Sequence, residues 1–325
     1  MSGRVLVTGA NGFIGRRTIR VLADQGWSTV AMVLPGEQLH PELDADEVVR
    51  ADVTDRASLD APLRDVDAVV HLAALVAEAS GDYPAHWAVT ADGSAKVFDA
   101  AGTVGARTVV TTSICNYGDA VRKGSCPENV ERGRPQGPYG VAKQGQEDAA
   151  FAAAGEGLDV SIVRPSNVYG IGSRPWVDIM VGLLRAGQFP LLDGGVGNAG
   201  LVHVDNLADA LVAVLGLSDA AGLAFNACDG LDVSWARYAG DLADIVGAPA
   251  PSSVDAAPLL AAAEANENPT EKIPPQGAAV PPLEFLNLIA ADSDFPTDRL
   301  VSATGWSPQV TYDQALAELR DHLTA

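Results

Sequence analysis

The sequence predicts an α/β fold, a doubly wound parallel sheet with a smaller C-terminal lobe. Three observations carry that prediction. Apolar runs of strand character alternate with helical patterns through the first half of the chain. The first run, Val5–Val7, breaks into a turn with glycines at 9, 12 and 15 and then into a helical segment. At 325 residues the chain is long enough to bury a full core.

Taken in order, the first strand feeds a helix over Phe13–Gln25. Buried strands follow at Ser28–Val33, Val48–Asp52, Ala68–Leu72, Arg107–Thr112 and Val160–Arg164, with helical patterns at Ser58–Leu63, Gly93–Gly105 and Val141–Gly155. Ligands bind beyond the carboxyl ends of the strands in such sheets, so Gly9, Asp52, Ala73 and Ser113 should converge on one crevice. After Arg164 the pattern loosens. Trp176–Ala186 and Asn206–Leu217 read as helices, and Leu201–His203 and Ala224–Asn226 as short strands. Ala250–Pro282 reads as loop plus a short helix, followed by Leu283–Ala290, and Tyr312–Leu323 as a closing amphipathic helix. The expected division is a dinucleotide-binding unit over 1–165, to which 201–228 returns, and a substrate-binding lobe over 166–200 and 229–325.

The glycine turn points to a bound phosphate. Glycine lets the chain turn tightly, admits a ligand close to the backbone and packs helix on strand. The first-turn N–H groups of the following helix lack intrahelical partners and carry positive dipole, which suits a pyrophosphate. The spacing is Gly-x-x-Gly-x-x-Gly, distinct from the Gly-x-Gly-x-x-Gly of many dehydrogenases.

Composition sets the outer limits. There are 42 acidic and 21 basic residues, a formal net charge of −21, which excludes the basic face a nucleic-acid partner requires. No apolar run approaches the length of a membrane span, and no secretory signal precedes the first strand. Cys115, Cys126 and Cys228 have no metal-ligand spacing, so no metal is expected and a reducing cytoplasmic compartment is.

The chemistry gathers around Tyr139-Gly-Val-Ala-Lys143. Four residues on a helix bring the two side chains to one face, about 6 Å apart along the axis. Tyrosine, with a pKa of about 10, is a poor proton carrier at neutral pH, and a neighbouring ammonium stabilises its phenolate. On its own the pair suits an ordinary surface helix equally well. Ser113, ending an apolar strand at the crevice edge, tips the balance: its hydroxyl can hold a carbonyl or alcohol oxygen while the tyrosine moves the proton.

With these pieces in place the chain resembles an extended short-chain dehydrogenase/reductase of the NAD-dependent epimerase/dehydratase type, over nearly its whole length. The matching motifs are Thr8-Gly-Ala-Asn-Gly-Phe-Ile-Gly15, Ala51-Asp-Val-Thr-Asp55, His71-Leu-Ala-Ala74, Ser113-Ile-Cys-Asn-Tyr-Gly118, Tyr139-x-x-x-Lys143, Arg164-Pro-Ser-Asn-Val-Tyr-Gly170, Val202-His-Val-Asp-Asn-Leu-Ala-Asp209 and Thr304-Gly-Trp-Ser-Pro308. The resemblance implies a Rossmann-type sheet, a small-molecule substrate and a homodimer. It implies that Ser113, Tyr139 and Lys143 are catalytic. It also implies a cofactor bound by Gly9, Asn11, Gly12, Phe13, Ile14, Gly15, Asp52, Val53, Leu72, Ala73, Ala74, Thr111, Tyr139, Lys143, Pro165 and Asn167. Within that set Asp52 and Val53 meet adenine, Lys143 the nicotinamide ribose, and Pro165 to Asn167 border the nicotinamide.

The departures from the family pattern narrow the chemistry. Sugar dehydratases carry an Asp-Glu pair directly after the hydroxyl residue; Ile114 and Cys115 stand there, so dehydration is not expected. Nucleotide-sugar epimerases place an arginine on the diphosphate where this chain has Ala199, and the late Arg-Pro-Gly-Asp stretch is Ala291-Asp-Ser-Asp-Phe-Pro296 here. Losing two arginines removes charge-assisted bonds to a doubly charged ligand, leaving Arg174 or Arg185 as alternative grips. The leading expectation is an oxidoreductase interconverting a secondary alcohol and a ketone; the alternative is an NAD-dependent sugar epimerase. The second strand ends in Val33-Leu-Pro-Gly36, with neither the acid that selects NAD nor the arginine that accepts the NADP phosphate. The default is NAD, with NADP possible if Arg16, Arg17 or Arg50 swings into reach. His71 reads as structural, Cys115 as a small buried hydrophobe, His86 and Trp87 as mouth-lining or helix-packing, and His203 with Asp205 as a turn into a helix.

The acidic excess fits an ordinary acidic enzyme from an Arg-over-Lys, Ala-rich source; adaptation to high salt is the sharper alternative. A thermal melt distinguishes them. The high-salt surface requires Tm to climb steeply with monovalent salt toward molar levels, where the screening length is about 3 Å. A flat response identifies the ordinary acidic enzyme.

Overall fold

A computed structural model describes residues 3–76, 83–266 and 283–324. Seven parallel strands form the central sheet: β1 (Arg4–Thr8), β2 (Ser28–Val33), β3 (Glu47–Arg50), β4 (Ala68–His71), β5 (Arg107–Thr111), β6 (Val160–Pro165) and, from the far half of the chain, the strand Ala224–Ala227. From one edge to the other the order is Ala224–Ala227, β6, β5, β4, β1, β2, β3. Register runs unbroken from Val5 opposite Thr29 and Ala68 to Thr111 opposite Val163.

Alternate residues feed opposite faces, as the pleat requires. Val5 and Val7 pack with Ile19 and Leu22 of helix α1 (Phe13–Asp24), whereas Leu6 between them joins Val97 and Phe98 on the other face. That second face is covered by α2 (Tyr83–His86) continuing through a π-helical stretch, Trp87–Asp92, into α3 (Gly93–Val104), and by α4 (Gly137–Gly155). Trp87 packs edge-on where a side chain at Gly145 would stand, so it is a helix-packing residue.

Beyond β6 come β7 (Asn167–Tyr169), α5 (Met180–Arg185), β8 (Pro190–Leu192), β9 (Leu201–His203), α6 (Val204–Leu215) and β10, the sheet strand Ala224–Ala227. There follow α7 (Trp235–Val246), β11 (Ser252–Val254), α8 (Ala256–Asn266), α9 (Leu283–Ala290), α10 (Asp298–Thr304) and α11 (Tyr312–Thr324). Helix α6 returns to the sheet, its Leu207 and Leu211 sharing the core of α1. A separate core of Trp176, Met180, Trp235, Tyr238, Leu286 and Tyr312 holds the second lobe. Among the described residues no helix is long and apolar enough to cross a membrane.

Some elements differ from the sequence expectation. The stretch Ser58–Leu63 is a 3₁₀ turn, Arg56–Leu59, capped by the Asp55 carboxylate accepting from Ala57 N. Helix α4 begins at Gly137, four residues earlier than expected, and includes Tyr139 in its first turn. Part of Ala250–Pro282 lies outside the described residues. Helix α7 was unassigned from sequence, although Ser234 accepts from Arg237 N at its start and Gly247 adopts the left-handed conformation at its end.

One buried ion pair joins these parts. Arg164, on β6, donates through Nε to Glu147 Oε2 of α4 at 3.0 Å and through Nη2 to Oε1. Its Nη1 donates to the Tyr117 hydroxyl at 3.1 Å and to Glu128 O at 3.2 Å, and the Tyr117 hydroxyl donates to Asn226 Oδ1 of β10 at 2.7 Å. Thr112 donates to the same Glu147 carboxylate. Removing one buried partner strands the other's charge, so Glu147→Ala should cost about 3–5 kcal/mol in urea unfolding. The double change Glu147→Leu/Arg164→Met should cost less than either single change; a larger loss in the double variant would refute this account.

Candidate active site

The glycine turn is shaped by contacts that exclude side chains. Gly9 sits at φ +64°, and a Cβ on it would lie 3.0 Å from Ala73 N. A Cβ on Gly15 would overlap Gly9 O, so the helix start presses directly on the turn. Gly12 occupies the N-cap of α1 with no side-chain cap, and Phe13, Ile14 and Gly15 bring no acid into the first turn. Gly12 N donates to Gly9 O at 3.0 Å, and the first-turn N–H groups of Phe13, Ile14 and Gly15, which have no intrahelical acceptor, suit an anion. Phe13 reaches across to Gly172 of the second lobe.

Asn11 ties the turn to the loop after β2. Its Nδ2 donates to Glu37 Oε1 at 2.7 Å and its Oδ1 accepts from His40 N at 2.7 Å. Glu37 also accepts from Leu34 N at 3.0 Å, which folds its carboxylate back onto the end of β2. The acid that the end of the second strand lacks in the linear sequence is thus delivered from beyond the Pro35-Gly36 turn. Arg16 and Arg17 are paired with carboxylates, whereas Arg50 stands at the end of β2 itself. Arg16 donates to Asn11 O and pairs with Glu42, Arg17 pairs with Asp205, and Arg50 donates to Leu34 O and Glu37 O.

Along the crevice, Thr8 Oγ1 accepts from Leu72 N and Ala73 N at 3.1 Å each, fixing the exit of β4 that leads to Ala74. Asp52 accepts from Thr54 N and its hydroxyl, and Val53 packs against Gly93 at the start of α3. Asn167 spends its Nδ2 on Ala199 O at 2.8 Å, one residue beyond Ser166 and two beyond Pro165. Thr111 Oγ1 is buried with no hydrogen-bond partner.

The three candidate catalytic residues meet at the end of β5 and the start of α4. Ser113 caps a 3₁₀ turn, its Oγ accepting from Cys115 N at 3.0 Å, which leaves its proton for donation. Tyr139 is half-buried, with the His86 ring perpendicular to it at 6.5 Å between centroids. Lys143 Nζ lies 5.7 Å from the Tyr139 ring centroid and is 3% exposed. It donates to Thr111 O at 3.0 Å and Gln146 Oε1 at 2.8 Å. Burial pushes the ammonium down to about 7, opposed by Cys115 and Glu147. The Cys115 thiol is pushed up to about 11 by burial, so it is no thiolate nucleophile. His71 is pushed down to about 3 by burial and the nearby Lys143, in keeping with a structural role.

The second lobe adds residues that the sequence leaves unmarked. The Glu284 carboxylate of α9 lies where a side chain at Gly137 would stand, and Gly137 is held at φ +64° two residues before Tyr139. Asn287 donates to Gln136 Oε1, and Cys115, Gln136, Glu284 and Asn287 line a common small cavity. No local pattern announces these residues, because they come from a separate helix. Ala199 is fully buried, Arg174 is exposed, and Arg185 donates to Leu323 O on the closing helix. Among the described residues no three His, Cys, Asp or Glu side chains gather as metal ligands.

The chain is similar to known reductases and epimerases. Ceramide reductase of Caulobacter vibrioides is 30% identical over 223 residues, 66% of this chain and 63% of that protein, so this chain spans less than two thirds of that relative's length. UDP-glucose 4-epimerase of Mycolicibacterium smegmatis is 32% identical over 266 residues, covering 76% of this chain and 83% of the relative. The solved structure of MoeE5 in complex with UDP-glucuronic acid and NAD superposes with a TM-score of 0.72 at 23% identity, over 98% of each chain, and shares the fold. Residues 5–228, which include the glycine turn, Ser113, Tyr139 and Lys143, match the NAD dependent epimerase/dehydratase family, and the chain belongs to that family.

Proposed function

We propose that the chain is an NAD-dependent oxidoreductase that interconverts a secondary alcohol and a ketone, with Ser113, Tyr139 and Lys143 as its catalytic residues. The observation that carries this reading is the half-buried Tyr139 stacked within 5.7 Å of the buried Lys143 ammonium. The ammonium favours the phenolate, which lets Tyr139 take the proton of a bound alcohol. The Ser113 hydroxyl, its oxygen already accepting from Cys115 N, donates to the substrate oxygen and fixes it. NAD, when bound, supplies the hydride acceptor. The glycine turn and first turn of α1 suit its pyrophosphate, and the unpartnered Thr111 hydroxyl and the third Lys143 N–H offer polar contacts toward the ribose side. Dehydration finds no support, since Ile114 has no ionisable group and burial pushes the Cys115 thiol up to about 11.

The UDP-glucose 4-epimerase relative favours a second reading, in which the hydride returns to the opposite face with no net redox change. The buried Ala199 at the diphosphate position supports the oxidoreductase instead, because no cation there offsets desolvation of a diphosphate. A screen of sugars, hydroxysteroids and simple secondary alcohols should give net reduction of free NAD. Tyr139→Phe should bind cofactor normally and retain less than about a tenth of the turnover, since it loses the proton carrier. Tight binding of a nucleotide-diphosphate sugar with inversion and no accumulated NADH would establish the epimerase.

Glu37 supports NAD over NADP: its carboxylate at the end of β2 repels a 2′-phosphate, while Arg50 on the same loop donates to the carbonyls of Leu34 and Glu37. Fluorescence titrations at fixed ionic strength should show NADH binding about tenfold or more tighter than NADPH. The preference should narrow in Glu37→Gln. Tighter NADPH binding by the unaltered chain would overturn the assignment.

A further inference from the structure

A closed chain of buried hydrogen bonds runs beneath the crevice from β1 to Lys143. Thr8 Oγ1 lies 2.7 Å from His71 Nδ1, and His71 Nε2 lies 2.8 Å from Ser94 Oγ. Ser94 donates its single proton to Thr90 O, so its oxygen accepts from His71 Nε2–H and from Gln146 Nε2, the latter at 2.8 Å. With Nε2 committed, Gln146 must aim Oε1 at Lys143; the flipped amide would set donor against donor. His71 is then the neutral Nε2–H tautomer and the Thr8 hydroxyl donates to Nδ1. Thr8, His71, Ser94 and Gln146 are fully buried.

We propose that Gln146 is a positioning residue for Lys143, held in one amide orientation by Ser94 and His71, and that it keeps the ammonium charged and aimed with one N–H left for a ligand. Lysine has a flexible four-carbon stem and three donors, and burial favours its neutral amine. Two fixed acceptors, Gln146 Oε1 and Thr111 O, oppose both tendencies. Among the titratable groups near it, Cys115 and Glu147 also favour the charged form. The Glu147 carboxylate is bound by Arg164, burial keeps His71 neutral, and burial pushes the Cys115 thiol up to about 11. The chain also links the strand turn that carries Ala73 to the helix that carries Tyr139, so both sides of the crevice share one polar framework. The ligand part of this proposal rests on Lys143 being the cofactor-ribose residue.

The chain has four lysines, at 96, 123, 143 and 272, so ¹³C-lysine NMR can follow the Lys143 titration directly, assigned with Lys143→Arg. Gln146→Leu should lower the Lys143 midpoint by about one pH unit, a tenfold change in protonation. It should also weaken NADH binding severalfold near pH 7.5. Gln146→Glu, which restores an acceptor, should titrate at or above the unaltered protein. Ser94→Ala, a smaller change, should shift Lys143 in the same direction as Gln146→Leu and serves as the test if the leucine variant does not fold. An unchanged Lys143 midpoint in either folded variant overturns the proposal. A shifted midpoint with unaltered NADH affinity upholds the positioning of the ammonium and instead refutes the cofactor role of Lys143.

Discussion

The site depends on the buried pairing of Arg164 with Glu147. Two charges out of water are tolerated because each is saturated with bonds: the guanidinium by the carboxylate, the Tyr117 hydroxyl and Glu128 O, the carboxylate by the guanidinium and Thr112. That saturation fixes geometry. Glu147 lies one helical turn beyond Lys143, and Arg164 lies on the strand beside the one that ends near Ser113. A pair that is costly to break therefore sets where the tyrosine, lysine and serine stand relative to one another, although it takes no part in proton transfer.

Lys143 faces the opposite constraint. Its ammonium is useful only if charged, yet its burial favours the amine and draws its titration down to about 7. Cys115 and Glu147 oppose that fall, and the carbonyls of Thr111 and Gln146 accept two of the ammonium's protons. The same helix thus carries one residue whose charge is locked and, a turn earlier, one whose charge is poised. The difference lies in whether the partner is an ion or a dipole.

The second lobe acts on the site by contact. Glu284 occupies the space of a side chain at Gly137, and Asn287 reaches Gln136, so α9 presses on the segment that delivers Tyr139 into the first turn of α4. Arg122 donates to Asn287 Oδ1 and orients that amide. The segment 197–198 packs in turn against Ala291 and Asp292, with Asn198 N donating to the Asp292 carboxylate.

Whatever is encoded over one strand or one helical turn is legible in the linear chain. The short β-branched runs around Val5–Val7, Ala68–His71 and Thr108–Thr111 are buried and form central strands. The three glycines are legible because each answers a local steric demand, and the four-residue spacing of Tyr139 and Lys143 places them on one helix face wherever that helix sits. Helix α7 was equally local, with Trp235, Tyr238, Ala239, Leu242 and Ala243 at helical spacing between Ser234 and Gly247. Its signal lay in the sequence unassigned. Tertiary structure decided the rest. Glu37 becomes the acid at the end of β2 only because a Pro-Gly turn folds it back onto Asn11. Gln146 acquires its role from Ser94 and His71, on other elements, and Glu284 from a helix well over a hundred residues beyond the tyrosine it supports. Such roles arise from chain segments brought together by the packing of the whole core, and no spacing in the linear sequence records them.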